Sequence, residues 1–282
     1  MTRRPRVLLL IPHLGGGGAE QVAINLARHL SPEKYDLHLG LVAQGRTNDE
    51  PFPIGLVVHC LGASRVRHSA IRILCLVWKL KPALLLSGMA HLNLLLLMLR
   101  PLFPSKIRIL VRQNSTVSSA LATGDLPAWT SFLYRVLYDR ADRVICQSSA
   151  MANDICTEIH LSPNKVAVLA NPVDVDAIRA TAESARNQWE GPGPHLFAVG
   201  RLSPEKGFDL LLQAFASIHE GFPTAKLAIA GVGPEEVQLK AQKNALGLDR
   251  SVRFLGRVPS PAAYFPGASE KLIDESIGER RS

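Results

Sequence analysis

Residues 7–11, Val-Leu-Leu-Leu-Ile, form an unbroken apolar run that leads into four consecutive glycines at 15–18. Beyond the glycines, Val22, Ala23, Leu26, Ala27 and Leu30 recur at spacings of three and four. A strand without polar alternation must be covered on both faces, which a parallel sheet with helices above and below provides. The recurring apolar positions make one stripe of a helix. A buried strand, a glycine loop and an amphipathic helix in succession restrict the opening of the chain to an α/β unit.

The same grammar continues. Strands are expected at 37–42, 56–60, 83–87, 107–112, 143–147 and 166–169, with helices between most of them, including 129–138 and 149–159. This alternation predicts a doubly wound domain over residues 1–169. Asn171-Pro172 and Gly191-Pro192-Gly193-Pro194 bracket a helix expected at 175–189. The pattern then restarts, with strands at 195–199, 226–230 and 252–256 and helices at 206–219 and 235–246. We expect a partial second Rossmann-like domain over 170–265. Residues 266–282 are charged and show no strand pattern, so they are expected to be a disordered, aberrant tail on a chain shortened at its C-terminus.

Composition removes several alternatives. With 282 residues, 47% hydrophobic and 20% charged, the chain is neither disordered, collagen-like nor a disulfide-stapled miniprotein. Its longest apolar stretch, 92–99 with Asn93 inside it, is far below the roughly 20 residues that cross a bilayer. The N-terminus leads directly into the first strand, so no signal peptide is read. Cys60, Cys75, Cys146 and Cys156 lie in separate apolar segments, which suits reduced thiols better than a metal site. A cytoplasmic protein is expected. The net charge is +8, and it is lopsided: residues 1–169 carry 19 Lys and Arg against 10 Asp and Glu, the rest 13 against 14. That asymmetry suits an anionic partner of the first domain, or a merely basic surface.

Two loops carry candidate chemistry. Gly16, Gly17 and Gly18 precede a helix N-terminus, where bare backbone N–H groups can meet an anion; the alternative is a plain tight turn. Their spacing is neither a dinucleotide fingerprint nor a P-loop. The second loop, Gly200-Arg201-Leu202-Ser203-Pro204-Glu205-Lys206-Gly207, follows a strand and opens a helix. Arg201 and Lys206 there could neutralise a diphosphate, or be two solvated cations at a helix start.

Several segments together resemble the retaining glycosyltransferases of group 1, or family 4. They are Gly16-Gly17-Gly18-Ala19-Glu20; Ala141-Asp142-x-Val144-Ile145-x-x-Ser148; Val168-x-x-Asn171-Pro172-Val173-Asp174; Val199-Gly200-Arg201-Leu202-x-x-Glu205-Lys206-Gly207; and Ala230-Gly231-x-Gly233-Pro234 followed by Val252-x-Phe254-Leu255-Gly256. The resemblance spans residues 6–265. It implies a glycosyltransferase B fold, two Rossmann-like domains facing a cleft. It also implies a nucleotide-diphosphate sugar as donor and a saccharide or lipid-linked acceptor, with no metal and no cofactor. Arg201 and Lys206 would hold the leaving diphosphate, with Gly231 and the backbone at Phe254 and Leu255 near the nucleotide. The glycine loop would touch the diphosphate or the acceptor.

The chain departs from the family pattern twice. Where many members carry a His after the fifth strand, this chain has Gln113, with His91 the other candidate for contact with the transferred sugar. As a lone histidine, His91 has a structural reading too. The family's Glu-x7-Glu element is absent after Phe265. A catalytically inactive remnant that binds only nucleotide or membrane, and a sugar-nucleotide epimerase on a related fold, are therefore carried as alternatives. Residues 65–81 mix cations with apolar side chains, which fits either an anionic membrane surface, placing the protein peripherally on the cytoplasmic face, or a helix packed on its own sheet. No recognition motif supports nucleic acid.

Overall fold

A computed structural model describes residues 4–14, 18–43, 52–122, 128–268 and 270–273. The chain divides into two compact units, Met1–Val173 and Asp174–Ile277.

The first unit contains β1 (Arg6–Ile11), α1 (Gly18–His29), β2 (Asp36–Leu41), β3 (Val57–Cys60), α2 (Ala70–Leu80), β4 (Leu84–Ser87) and α3 (Ala90–Leu99). It continues with β5 (Arg108–Arg112), α4 (Val117–Ala122), α5 (Ala128–Tyr138), β6 (Arg143–Cys146), α6 (Ser149–Glu158) and β7 (Val166–Val168). The seven strands run parallel in the order β3-β2-β1-β4-β5-β6-β7. The apolar run at 7–11 explains why β1 is central. Leu8 and Leu10 enter one core with residues of α2, α3 and α6, while Val7, Leu9 and Ile11 enter another with Ala23, Ile24 and Ala27 of α1. Each fully buried aliphatic side chain is worth about 1.5–3 kcal/mol, so both layers hold the strand.

The second unit contains α7 (Val175–Ser184), β8 (His195–Val199), α8 (Phe208–Gly221), β9 (Lys226–Ala230), α9 (Glu236–Ala245), β10 (Val252–Gly256) and β11 (Glu270–Ile273). Its parallel sheet runs β10-β9-β8-β11. Phe208, Leu212 and Phe215 of α8 cover one face, and Trp189 covers the other with Phe197, Ala228 and Ala230.

Three expectations are corrected. The helix expected to reach residue 189 ends at Ser184, where Ala185 turns extended (φ −80°, ψ 142°). This releases Trp189 to stack on His195 (4.9 Å between centroids) and to donate from Nε1 to the Tyr264 carbonyl at 3.1 Å. The helix expected from residue 206 begins at Phe208, because Gly207 (φ +65°) separates it from a 3₁₀ turn at Pro204–Lys206. Residues 270–273, expected to lie in a strandless tail, pair with β8 from Glu270↔Leu196 to Ile273↔Val199. Backbone pairing does not depend on side-chain pattern, and it satisfies an edge of β8 that the sequence reading left uncovered. Residues 274–282 of that tail lie outside the described residues.

Candidate functional site

Parallel sheets bind ligands beyond their carboxyl edges, where neighbouring connections leave in opposite directions. In the second unit that position lies between β8 and β11, and residues 200–207 leave it. Gly200 N donates to Ala230 O at 3.0 Å and Leu202 N to Val232 O at 3.2 Å, so the loops after β8 and β9 run side by side. Only glycine permits this. A Cβ at Gly231 (φ +150°) would lie 1.8 Å from the Gly200 carbonyl oxygen, and one at Gly233 2.1 Å from that of Leu202.

Arg201 is exposed on this loop and Lys206 half-buried. The Ser203 hydroxyl donates to Glu205 Oε1 at 2.5 Å. Burial opposes ionisation of Glu205. The Ser203 hydroxyl, the residue's own backbone N–H and the charges of Arg201 and Lys206 outweigh it and hold the carboxyl below its usual range. Phe254 packs into the α8 core and Leu255 into the opposite one. Their side chains belong to the two cores, and the Gly256 carbonyl accepts from Gly231 N at 2.8 Å.

In the first unit the corresponding position lies between β1 and β4. His13 follows β1, and His91 is the second residue of α3, which follows β4. His13 Nδ1 lies 3.6 Å from the buried carboxylate of Glu20 in the first turn of α1. Desolvation and the nearby His13 both hold His91 below the usual imidazole range. A neutral imidazole that can donate or accept therefore stands at this edge. Gly16 and Gly17 lie outside the described residues. Gly18 is exposed and has open space where a Cβ would go, so packing does not require glycine there.

Gln113 does not line this edge. It is 3% exposed, and its Oε1 accepts from the Tyr138 hydroxyl at 2.9 Å. β5 keeps its alternation past its last paired residue, which turns Gln113 into the core. Polar groups that the sequence did not mark as site residues stand nearby instead, Asn171 having been noted only within a motif. The Arg112 guanidinium, 5% exposed, donates to Asn114 Oδ1 at 3.3 Å and to Asn171 Oδ1. Gln147 donates to Asn114 at 3.4 Å and accepts from Asn171 at 3.3 Å. Burial holds Arg112 below its ordinary value. Arg112, Asn114, Gln147 and Asn171 all sit at or just after the carboxyl ends of β5, β6 and β7, and that shared position is the signal that could have found them.

Other residues of the motifs are structural. Ser148 caps α6 by accepting from Met151 N at 3.2 Å, and Asp174 caps α7 by accepting from Ala177 N at 3.0 Å. Asp142 accepts from Ile109 N at 2.7 Å and meets Arg100 at 3.5 Å, tying β5 to the turn before β6.

The profile described as Glycosyltransferase Family 4 matches residues 16–177, and that described as Glycosyl transferases group 1 matches residues 180–269. The chain belongs to Glycosyltransferase Family 4. Among curated relatives of this glycosyltransferase is N-acetylgalactosamine-N,N'-diacetylbacillosaminyl-diphospho-undecaprenol 4-alpha-N-acetylgalactosaminyltransferase of Campylobacter jejuni. It is 27% identical over 268 residues, covering 91% of this chain and 70% of that one. The phosphatidylinositol N-acetylglucosaminyltransferase GPI3 subunit of Saccharomyces cerevisiae is 26% identical over 133 residues, 46% of this chain and 29% of that one. Two solved structures share the fold. Anabaena HepE, in complex with UDP and glucose, has a TM-score of 0.71 at 17% identity and covers 95% of this chain and 73% of its own. Sucrose-phosphate synthase of Thermosynechococcus elongatus has a TM-score of 0.76 at 14% identity and covers 95% and 75%. The likeness supports a glycosyltransferase B fold built from the two Rossmann-like units.

Proposed function

We propose that this glycosyltransferase moves a sugar from a nucleotide-diphosphate donor, held at the loop 200–207, to a saccharide or lipid-linked acceptor, with retention of anomeric configuration. The carrying observation is that Arg201 and Lys206 lie on one loop, residues 200–207, which two glycines allow to run against its neighbour at the carboxyl edge of the sheet. As the glycosidic bond to the diphosphate breaks, negative charge gathers on the leaving oxygens. Fixed cations reward that state more than the ground state, which is the condition for acceleration. Arg201 offers a planar fork to two oxygens and Lys206 a point charge. Side-chain cations therefore take the part that a metal ion plays in other transferases.

His91, Asn114 and Asn171, at the carboxyl edge of the first unit, supply neutral donors and acceptors suited to hydroxyl groups. The lipid-linked form of acceptor is supported by the Campylobacter jejuni relative, whose name gives a diphospho-undecaprenol-linked saccharide as its acceptor. An epimerase reading has only fold-level likeness behind it, whereas both family profiles are those of transferases.

The test is release of nucleoside diphosphate from a panel of nucleotide-diphosphate sugars, with polyprenyl-diphosphate saccharides as acceptors and anomeric configuration read by NMR. We expect acceptor-dependent release with one donor and an unchanged anomeric configuration in the product. Acceptor-independent conversion of the donor to its epimer would overturn the reading.

A further inference from the structure

Between Glu50 and Asp125 the chain contains no acidic residue, while nine of the intervening positions are Lys or Arg. The structure places much of this run on one surface. Helix α2 buries Ile73, Leu76, Val77 and Leu80 against the sheet, which satisfies the ordinary packing reading for its inner side. Its outer side is not polar. Ile71 is 75% exposed and Trp78 52% exposed, with the exposed Cys75 between them at helical spacing. Arg72 and Lys79 are exposed beside that stripe, and Arg65 and Arg67 precede it.

A second segment extends the patch. Trp78 Nε1 donates to the Leu102 carbonyl at 3.0 Å, drawing the turn at Arg100–Leu102 against α2. Leu102 and Met98, one helical turn apart, are 56% and 54% exposed. The indole N–H is thus satisfied within the protein and the ring is left with an apolar surface outward. Exposed apolar groups of this size need a partner or a reason. The charge around them selects which: a cation-rimmed apolar stripe on a segment, residues 51–124, with no acidic residue of its own is complementary to an anionic lipid surface, Asp142 beside Arg100 being the carboxylate that a neighbouring element brings to the turn.

We infer that the outer side of α2, with the turn at Arg100–Leu102, is a docking surface for anionic bilayers. Ile71, Trp78, Met98 and Leu102 enter the headgroup–acyl boundary, and the flanking Lys and Arg meet lipid phosphates. Long side chains such as Arg72 and Lys79 can keep their heads at phosphate level while their stems lie along the apolar layer. Among the described residues no helix is long and apolar enough to span a membrane, so the contact is interfacial. This goes beyond the proposed reaction and does not depend on it, because it is read from exposure and charge alone.

The test is co-sedimentation of the full 282-residue chain with vesicles. One set is pure phosphatidylcholine, the other two parts phosphatidylcholine to one part phosphatidylglycerol. We expect binding to the anionic vesicles only, weakening as salt shortens the screening length from about 10 Å at 0.1 M. The variant R65Q/R67Q/K79Q should bind at least tenfold more weakly, since each cation near an anionic surface is worth about a fivefold change. A separate variant, I71D, should also lose binding, and both should melt like the parent, because all four positions are at the surface. Trp78 emission should shift to the blue on binding, and W78F should lack that part of the shift. Equal binding to both vesicle sets, or binding unchanged in the triple variant and in I71D, would overturn the inference. So would retention of duplex DNA at the same salt with no retention of vesicles, which would assign the charge to nucleic acid. Sugar transfer without vesicle binding would remove this surface and leave the proposed reaction standing.

Discussion

The Tyr138 hydroxyl donates to the side-chain carbonyl of Gln113 across 2.9 Å, inside the core of the first unit. Asn93 Nδ2 lies 3.4 Å from the same hydroxyl and donates to Arg112 O at 3.0 Å, so one buried network fixes the end of β5. Tyr138→Phe leaves the Gln113 carbonyl without its donor. We predict a loss of about 1–3 kcal/mol in chemical denaturation, the usual consequence of an unsatisfied buried acceptor. Nucleoside diphosphate binding in the second unit should be unchanged. Gln113→Ala should behave alike, losing stability rather than acid–base chemistry.

Gly231→Ala tests the close approach of the two loops in the second unit. The added methyl would sit 1.8 Å from a backbone carbonyl oxygen, at a φ of +150° that side chains rarely adopt. Backbone cannot yield as a flexible side chain does. The variant is predicted to melt at a lower temperature and to bind nucleoside diphosphate at least tenfold more weakly, while Gly18→Ala, with open space around it, should melt like the parent.

A third prediction concerns pH. His38 Nδ1 and His59 Nε2 are 3.0 Å apart on neighbouring strands, a contact that needs one ring neutral to accept. Burial, then His38 and Lys79, hold His59 below the usual value. The unfolded chain therefore takes up a proton first. Stability is fully present above the ordinary imidazole pKa of about 6.5 and falls as pH drops below it. Asp36, held below the carboxylate range chiefly by its 2.9 Å bond from Arg6, contributes stability that is lost only in more acidic solution. Melting temperatures across pH should show two separate declines, and His59→Asn should make the upper one smaller, the remainder coming from His91, which is also held below the imidazole range.

The sequence exposed the architecture because strands covered on both faces leave apolar runs, as at residues 7–11 and 196–199. It did not expose β11, because Glu-Lys-Leu-Ile has no distinguishing pattern and is fixed by backbone pairing to β8. The loop 200–207 was legible because its glycines and cations are local in sequence. The group around Arg112 was not, because Asn114, Gln147 and Asn171 come from three strand ends that only the parallel topology brings together. Gln113 was misplaced for a related reason: a one-residue difference in where a strand's alternation ends sends a side chain to the opposite side.

A fourth prediction follows from assigning the diphosphate to side chains. Dialysis against a chelator should leave acceptor-dependent turnover unchanged, and added magnesium should not raise it. Loss of turnover on chelation, restored by a divalent cation, would contradict the assignment.

Whether the loop 200–207 holds a diphosphate is decided by calorimetric titration of the chain with nucleoside diphosphates, compared with Arg201→Ala/Lys206→Ala. The parent should bind, and binding should weaken in the double variant by about 2–4 kcal/mol, since each charge-assisted contact contributes about 1.5–3 kcal/mol and neighbours are not additive. The melting temperature should stay within a few degrees, because both groups lie at the protein surface or half-buried in a loop. Equal affinity in parent and double variant would contradict the claim that this loop holds the donor's diphosphate.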